Sequence, residues 1–374
     1  MSGFLAVMRK EFRHVLRDPW ALAGTTLGTV VLMILLSYAI SADIEHIPIA
    51  VMDGDRTPQS RAYVQCFIND AFFDVHYWAH SHEEAVESVR ADRVKGAIVI
   101  PAGFAEALQQ GKLAPVQIIA DGTEPNIALQ IAGNVEALSG GYSVDLLVQR
   151  LERAGMDAEG ASPLEFRVRT LYNPDLREIN AFLPGLMAIV LAFPALSAAL
   201  SLVREREQGS LESLVSTPIR RVQFLAGKAA PYLIIGLLDI LVLTGTGVFF
   251  FDVPFRGHLA DLVLLSTFFL LANLGIGLLI SSVLRTQMAA LIVGGLMFMM
   301  PLTQSGLVAP LYTLPPDAQM QAMIWPATHY IIIARSIFLK GVGVQALMFH
   351  GLFLLALALL LNGLALWRFR KKVA

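Results

Sequence analysis

The chain has 374 residues, of which 55% are hydrophobic and 16% charged, against roughly 25% charged in an ordinary soluble domain. With a mean hydropathy of +0.61 and a formal net charge of −2, it is neither a disordered chain nor a soluble globular enzyme, and no global basic field recruits nucleic acid. A single cysteine, Cys66, excludes an intrachain disulfide framework.

Residues 1–18 form the first predicted element. Phe4, Leu5, Met8, Phe12, Val15 and Leu16 fall on one helical face, and Arg9, Lys10, Arg13, His14 and Arg17 fall elsewhere. A basic amphipathic helix of this kind lies in the membrane interface. Asp18-Pro19 ends it and turns the chain into the bilayer. Because a bilayer core takes about 20 apolar residues as a helix, six spans are predicted at 20–40, 179–203, 231–251, 262–284, 288–307 and 346–367. The first, within a segment 19–42, exceeds the roughly 7–15 residues of a signal-peptide core. No convincing cleavage site follows it, although Ala39-Ile40-Ser41-Ala42 has small residues.

The insert at 43–177 holds most of the acids and alternates strands with helices. Strands are predicted at 47–52, 97–100 and 116–120, and helices at 83–93, 104–110 and 126–154. This alternation implies an α/β unit with some parallel pairing. Cys66 is expected in its core. His76, His80 and His82 are close enough to suggest a metal, but the stretch reads as strand and turn, so a solvated polar surface is expected and no metal site is assigned.

Orientation follows from the basic residues. Arg9, Lys10, Arg13, Arg17, Arg204, Arg206, Arg220, Arg221, Lys228, Arg285, Arg368, Arg370, Lys371 and Lys372 share one side, against Arg256, Arg335 and Lys340 on the other. The positive-inside rule then puts both termini in the cytoplasm and the insert outside. Catalytic signatures are missing. Gly227-Lys228 has Val222 where a phosphate-binding loop needs glycine, His82-Glu83-Glu84 lacks the second histidine of a metalloprotease helix, and neither G-x-S-x-G nor C-x-x-C occurs.

The most informative stretch is the loop 204–224, whose motif contains Glu205-Arg206-Glu207-Gln208-Gly209-Ser210-Leu211-Glu212-Ser213-Leu214 and runs to Pro218. Gly209 permits a sharp turn, Ser210 can cap a short helix burying Leu211, Leu214 and Val215, and Glu205, Glu207 and Glu212 present carboxylates. Such a helix is suited to docking in a partner's groove. Spacing alone leaves an ordinary solvated loop equally open.

This loop resembles the E-x-G-[ST]-[LM]-E-x-L…[ST]-P signature of ABC-2 type transporter permeases, with serine at 210 where threonine is common. The amino-terminal helix resembles that family's elbow helix. Asn173-Pro174-Asp175, the turn Arg285-Thr286-Gln287, Pro326-Ala327-Thr328-His329-Tyr330 and the basic carboxyl terminus match as well. The resemblance implies that Glu207, Gly209, Ser210, Leu211, Glu212 and Leu214, flanked by Glu205 and Pro218, form a coupling helix seated on a separate ATP-binding cassette subunit. That partner would hold ATP and magnesium, so this chain needs no cofactor of its own. A second permease chain, identical or not, a periplasmic adaptor protein and a bacterial inner-membrane location are also implied.

Within the spans, Asp239 is either a translocation-path contact or a packed, neutralised carboxyl, since a carboxylate at mid-membrane costs about 2.5–3.5 kcal/mol on insertion scales. Asn273 is a weaker path candidate, because membrane asparagines often join helices. His350 is expected at the interface. Gly24 and Gly28 form a G-x-x-x-G suited to close helix packing within or between chains. Pro184 and Pro194 should kink the second span. Pro310, Pro315, Pro316 and Pro326, with the short apolar piece 330–339, make 308–342 a re-entrant segment.

The fold expected is an α-helical membrane protein with six spans, an interfacial elbow helix and an inserted α/β extracytoplasmic domain. The expected function is that of a non-enzymatic permease subunit exporting amphiphilic small molecules such as drugs, powered by the partner. Alternatives are a lipid or polysaccharide exporter and a receptor whose outer domain senses a ligand. An intramembrane enzyme built on Asp239 lacks a second carboxylate or histidine at matching depth.

Overall fold

The computed structural model describes residues 2–17, 27–40, 46–153, 171–174, 177–209, 219–307 and 310–369. The chain divides into two compact units, Met1–Ala42 with Arg169–Ala374, and Asp43–Val168.

The first unit opens with helix α1, Ser2–Arg17, and continues with α2, Gly28–Ile40, the described part of the first predicted span. Helix α1 buries Val7, Glu11 and Val15 and leaves Leu5 and Leu16 exposed. The buried stripe therefore centres on a carboxylate and not on the apolar face that the sequence suggests, because Glu11 meets a cation from a distant helix.

The second unit runs β1 (Ile47–Asp53), α3 (Pro58–Ile68), β2 (Phe73–Trp78), α4 (His82–Arg90), β3 (Gly96–Ile100), α5 (Phe104–Gln109), β4 (Gln117–Ala120) and α6 (Pro125–Arg153). The sheet order is β2-β1-β3-β4. Strand β1 is parallel to β2 and β3, and β3 is antiparallel to β4. Strand β3, Gly-Ala-Ile-Val-Ile, is buried throughout, as a strand covered on both faces must be. Helix α3 has no counterpart among the predicted elements. Its signal is the reciprocal cap between Thr57 and Ser60 with Pro58 in the first turn. It buries Tyr63, Val64 and Phe67. Cys66 falls beside that stripe and is half-buried, not a core residue. His76, His80 and His82 are exposed, and His76 pairs with Asp74 at 3.1 Å.

Sheet order reverses between β1 and β3, where open α/β sheets commonly receive ligands. Here the Asp55 carboxylate reaches across. It accepts the Gly103 and Ala105 amides at 2.7 and 3.0 Å and the Thr57 hydroxyl at 2.6 Å. It thus caps α5, whose own N-cap residue is Gly103.

The first unit resumes with α7 (Glu178–Val190), α8 (Phe193–Glu207), α9 (Arg221–Phe250), α10 (Leu259–Val283), α11 (Gln287–Gln304), α12 (Pro316–Ala322), α13 (Pro326–Arg335, extended by a π turn to Lys340) and α14 (Met348–Arg368). Among the described residues, four segments are long and apolar enough to cross a membrane: Glu178–Glu207, Arg221–Phe250, Leu259–Val283 and Met348–Arg368. Helix α12 and Pro326–Lys340 make a pair bent by 86°, in the region predicted to be re-entrant. Gln287–Met299 is a shorter apolar helix. Six full spans are therefore expected from sequence, and four stand among the described residues, with α2 and α11 as shorter pieces.

The third span starts at Arg221, earlier than 231. Pro231 lies inside the helix, and Arg221, Gln223 and Lys228 depress the hydropathy of turns that are nevertheless helical. Pro184 sits inside α7 and Pro194 in the first turn of α8. The two helices meet at Leu191–Ala192, a break consistent with the backbone bonds that proline removes.

Close packing fixes the bundle. A Cβ on Gly277 of α10 would lie 2.4 Å from the Ala195 carbonyl oxygen of α8, and one on Gly275 would lie 2.7 Å from Leu361 Cβ of α14. Asn362 of α14 donates to the Leu271 carbonyl of α10 at 2.9 Å. Tyr330 of α13 stacks on Phe269 at 4.2 Å between centroids, and its hydroxyl meets that of Ser266 at 2.9 Å.

Candidate functional site

The loop singled out by sequence leaves α8 at Gln208–Gly209 and re-enters helix at Arg221. Ser210, Leu211, Glu212, Leu214 and Pro218 lie outside the described residues, as does Gly24. Glu205, Glu207 and Gly209 are described, and they stand on a buried polar platform that sequence reasoning misses.

At its centre is Lys228 of α9, with 1% of its side chain exposed. Its ammonium reaches both Glu11 carboxylate oxygens at 3.1 Å and Glu205 Oε2 at 2.9 Å. The two contacts with Glu11 are hydrogen bonds, and the contact with Glu205 is an ion pair. Glu11, 1% exposed, also accepts the Tyr232 hydroxyl at 3.2 Å and the Ser201 hydroxyl. Lys10, on the rim, pairs with Glu205. Two carboxylates thus face two ammonium groups, and the platform is neutral overall. Ions taken out of water remain charged only when paired and bonded in this way. The network joins α1, the last turns of α8 and the first turns of α9. Gly227 admits the contact, since a Cβ there would sit 2.9 Å from the Phe4 carbonyl oxygen and from Val7 Cβ.

Two further contacts brace the end of α8. Arg206 donates to the carbonyls of Ser281 and Leu284 at 2.7 and 2.9 Å, satisfying acceptors that a helix end leaves open. Glu207 accepts from the Gln287 side chain at 2.7 Å, which ties α8 to the start of α11. Gly209 then adopts φ +72°, a left-handed conformation in which glycine ends helices without the Cβ penalty. The loop therefore departs from a base fixed to α1, α9, α10 and α11, with no groups arranged for covalent chemistry among the described residues. The arrangement suits transmission of movement.

The intramembrane candidates lie elsewhere. Asp239 of α9 is 1% exposed and Asn273 of α10 is 4% exposed. The Asn273 amide donates to the Phe269 carbonyl of its own helix at 2.9 Å, a bond that joins no second helix. Gly28, at the start of α2, is exposed. The partners of two polar residues in the segment 310–350 escape the sequence reading. Arg335 of α13 donates to the carbonyls of Ala181, Gly306 and Leu307 at 2.7–3.2 Å. His350, expected at the interface, meets His329 Nδ1 to Nδ1 at 2.9 Å. The signals for both are single polar residues whose partners lie far away in sequence.

Comparison with known proteins places these features in context. The profile of the ABC-2 family transporter proteins matches residues 19–367. The chain is 28% identical over 372 residues to the probable multidrug ABC transporter permease YbhS of Escherichia coli K12, covering 98% of this chain and 97% of that protein. It is 30% identical over 370 residues to the probable multidrug ABC transporter permease YbhR of the same strain, covering 98% of each. A match of 26% identity over 351 residues to ABC transporter G family member 20 of Dictyostelium discoideum covers 91% of this chain and 47% of that protein.

Proposed function

The chain belongs to the ABC-2 family of transporter proteins, and from that premise we propose that it is the membrane permease subunit of an ATP-driven exporter of amphiphilic small molecules, drugs among them. A separate ATP-binding cassette subunit hydrolyses ATP with magnesium. Two permease chains flank the path, and the coupling segment Glu205–Pro218 seats on the ATPase. In this reading the termini and α1 are cytoplasmic, the protein sits in a bacterial inner membrane, and the unit Asp43–Val168 faces outward, where it is placed to meet an adaptor protein. The names of YbhS and YbhR support the multidrug class.

The observation that carries the proposal is the braced base of the coupling loop. A push on that loop reaches α8 directly, α9 and α1 through Lys228 and Glu11, and α10 through Arg206. Since α8 continues α7 across the membrane, tilting its inner end moves the bend at Leu191–Ala192. Asp239 and, more weakly, Asn273 are then contacts in the path, and Gly28, exposed on its own chain, is a candidate for packing against the second permease chain.

The test is co-purification with the ATP-binding subunit and stimulation of its ATPase, for wild type, Glu207→Ala and Gly209→Val. Loss of stimulation in the variants, with the chain still folded in the membrane, is expected. Undiminished stimulation in both would remove the coupling role from this loop.

A further inference from the structure

Helix α1 has three distinct faces. Val7, Glu11 and Val15 are buried. Leu5 and Leu16 are 49% and 62% exposed, with Met8 and Phe12 half-buried beside them. Next to Leu5 and Leu16 around the helix, Arg9, Arg13 and Arg17 are all exposed. They recur at a spacing of four residues, one above another on the helix surface. With Ala6 as floor, these arginines, Lys10 and His14 line an open groove of about 350 Å³.

The charges on this helix are divided. Lys10 is neutralised by Glu205, and Glu11 faces inward to Lys228. Arg9, Arg13 and Arg17 have no carboxylate within ion-pair distance among the described residues. Three cations therefore stand in a row with no counter-ion among those residues, beside leucines that the described helices leave uncovered.

The geometry points to anionic phospholipid headgroups as the ligand of this groove. Guanidinium forks match phosphate oxygens bidentately, and the adjoining Leu5 and Leu16 are positioned to enter the acyl boundary while the arginines stay at headgroup depth. An acidic protein surface would satisfy the charges but would leave those leucines facing water or a polar partner. The pairing of side-by-side apolar and cationic strips favours lipid. Headgroup binding then acts on the coupling machinery, because α1 is fastened by Glu11 and Lys10 to the residues that carry the loop. The inference rests on α1 lying at the lipid surface, and is independent of which ATPase or cargo the transporter uses.

The experiment uses the purified full chain in neutral detergent. Binding of dioctanoyl phosphatidylglycerol is compared with that of dioctanoyl phosphatidylcholine, glycerol phosphate and a polyglutamate peptide. Wild type is compared with the triple variant Arg9→Gln, Arg13→Gln, Arg17→Gln and with the single variant Arg13→Gln. Phosphatidylglycerol should bind in preference to phosphatidylcholine. The triple variant should lose about a hundredfold in affinity and the single variant about fivefold, as expected for cations near an anionic surface. Raising the salt should weaken the anionic lipid only. Glycerol phosphate, which lacks chains, should bind far more weakly. Equal affinity of wild type and triple variant for phosphatidylglycerol would overturn the inference. So would polyglutamate binding with the same arginine dependence while the lipid showed none. Melting temperature serves as the folding control. If the triple variant fails it, the salt dependence of wild type against Arg13→Gln decides, with identical slopes counting against the site.

Discussion

Glu11, near the start of the chain, and Lys228, 217 residues later, form a buried ion pair in which both carboxylate oxygens lie 3.1 Å from the ammonium. Neither residue belongs to the loop assigned to coupling, yet the pair sets what that loop is fastened to. Its energetics lead to the first prediction.

Removing one partner leaves an uncompensated buried charge. Lys228→Met should cost about 3–5 kcal/mol of stability. The double variant Lys228→Met, Glu11→Gln should recover much of this, since replacing both members of a buried pair is far milder than orphaning one. Thermal unfolding of the purified protein measures both. Equal melting temperatures for single and double variants would show that the pair is not the source of the loss.

Gly209 tests the loop's departure angle. With φ at +72° and nothing within 4 Å of where a Cβ would sit, substitution there meets backbone strain alone. A left-handed residue costs roughly 1–2 kcal/mol for ordinary side chains and less for asparagine. ATPase stimulation should therefore fall in the order glycine, asparagine, alanine, valine. A flat series would mean that the turn is not maintained in the working complex.

Gly277 tests the contact between α8 and α10. A Cβ would press on the Ala195 carbonyl oxygen at 2.4 Å, a backbone atom that cannot rotate away. Gly277→Ala should cost about 1–3 kcal/mol by overpacking and lower transport. Gly295→Ala, with nothing within 4 Å of its Cβ, should be silent in both assays.

The unit Asp43–Val168 carries a pH signature. The Thr57 hydroxyl first, then the amides of α5, hold the Asp55 carboxyl below the usual carboxylate range. A group whose folded pKa is depressed contributes stability above its unfolded value, and that contribution disappears as pH falls through the folded value. Amide exchange across Phe104–Gln109 should thus accelerate as pH drops below about 4, after correction for intrinsic rates. Asp55→Ala should show the faster exchange already at neutral pH, losing about 1 kcal/mol of capping. Unchanged exchange in Asp55→Ala would remove the capping role.

What the sequence reveals and what it hides follow one physical division. Apolar runs are dictated by the bilayer, so α7 to α10 and α14 stand out by hydropathy. The alternating β and α pattern of the insert does likewise for β1, β3 and β4. Long-range pairing leaves no local trace. Glu11 reads as a polar residue on an amphipathic helix until Lys228 is brought beside it. Lys228 in turn lowers the hydropathy of α9 enough to hide its first turns. Helix α3 has a visible cap but a polar surface, and Cys66 misses the core by its position on the helix. The candidate site is legible in its loop motif and illegible in its foundation.

The distance in sequence between Glu11 and Lys228 also orders the protein's birth. At 5–20 residues per second, the ribosome needs roughly 10–40 s to make the intervening 217 residues. During that interval Glu11 lacks its Lys228 partner. The platform can close only after the first turns of α9 have emerged, so the nascent chain holds no finished base for the loop until more than half of it has been synthesised.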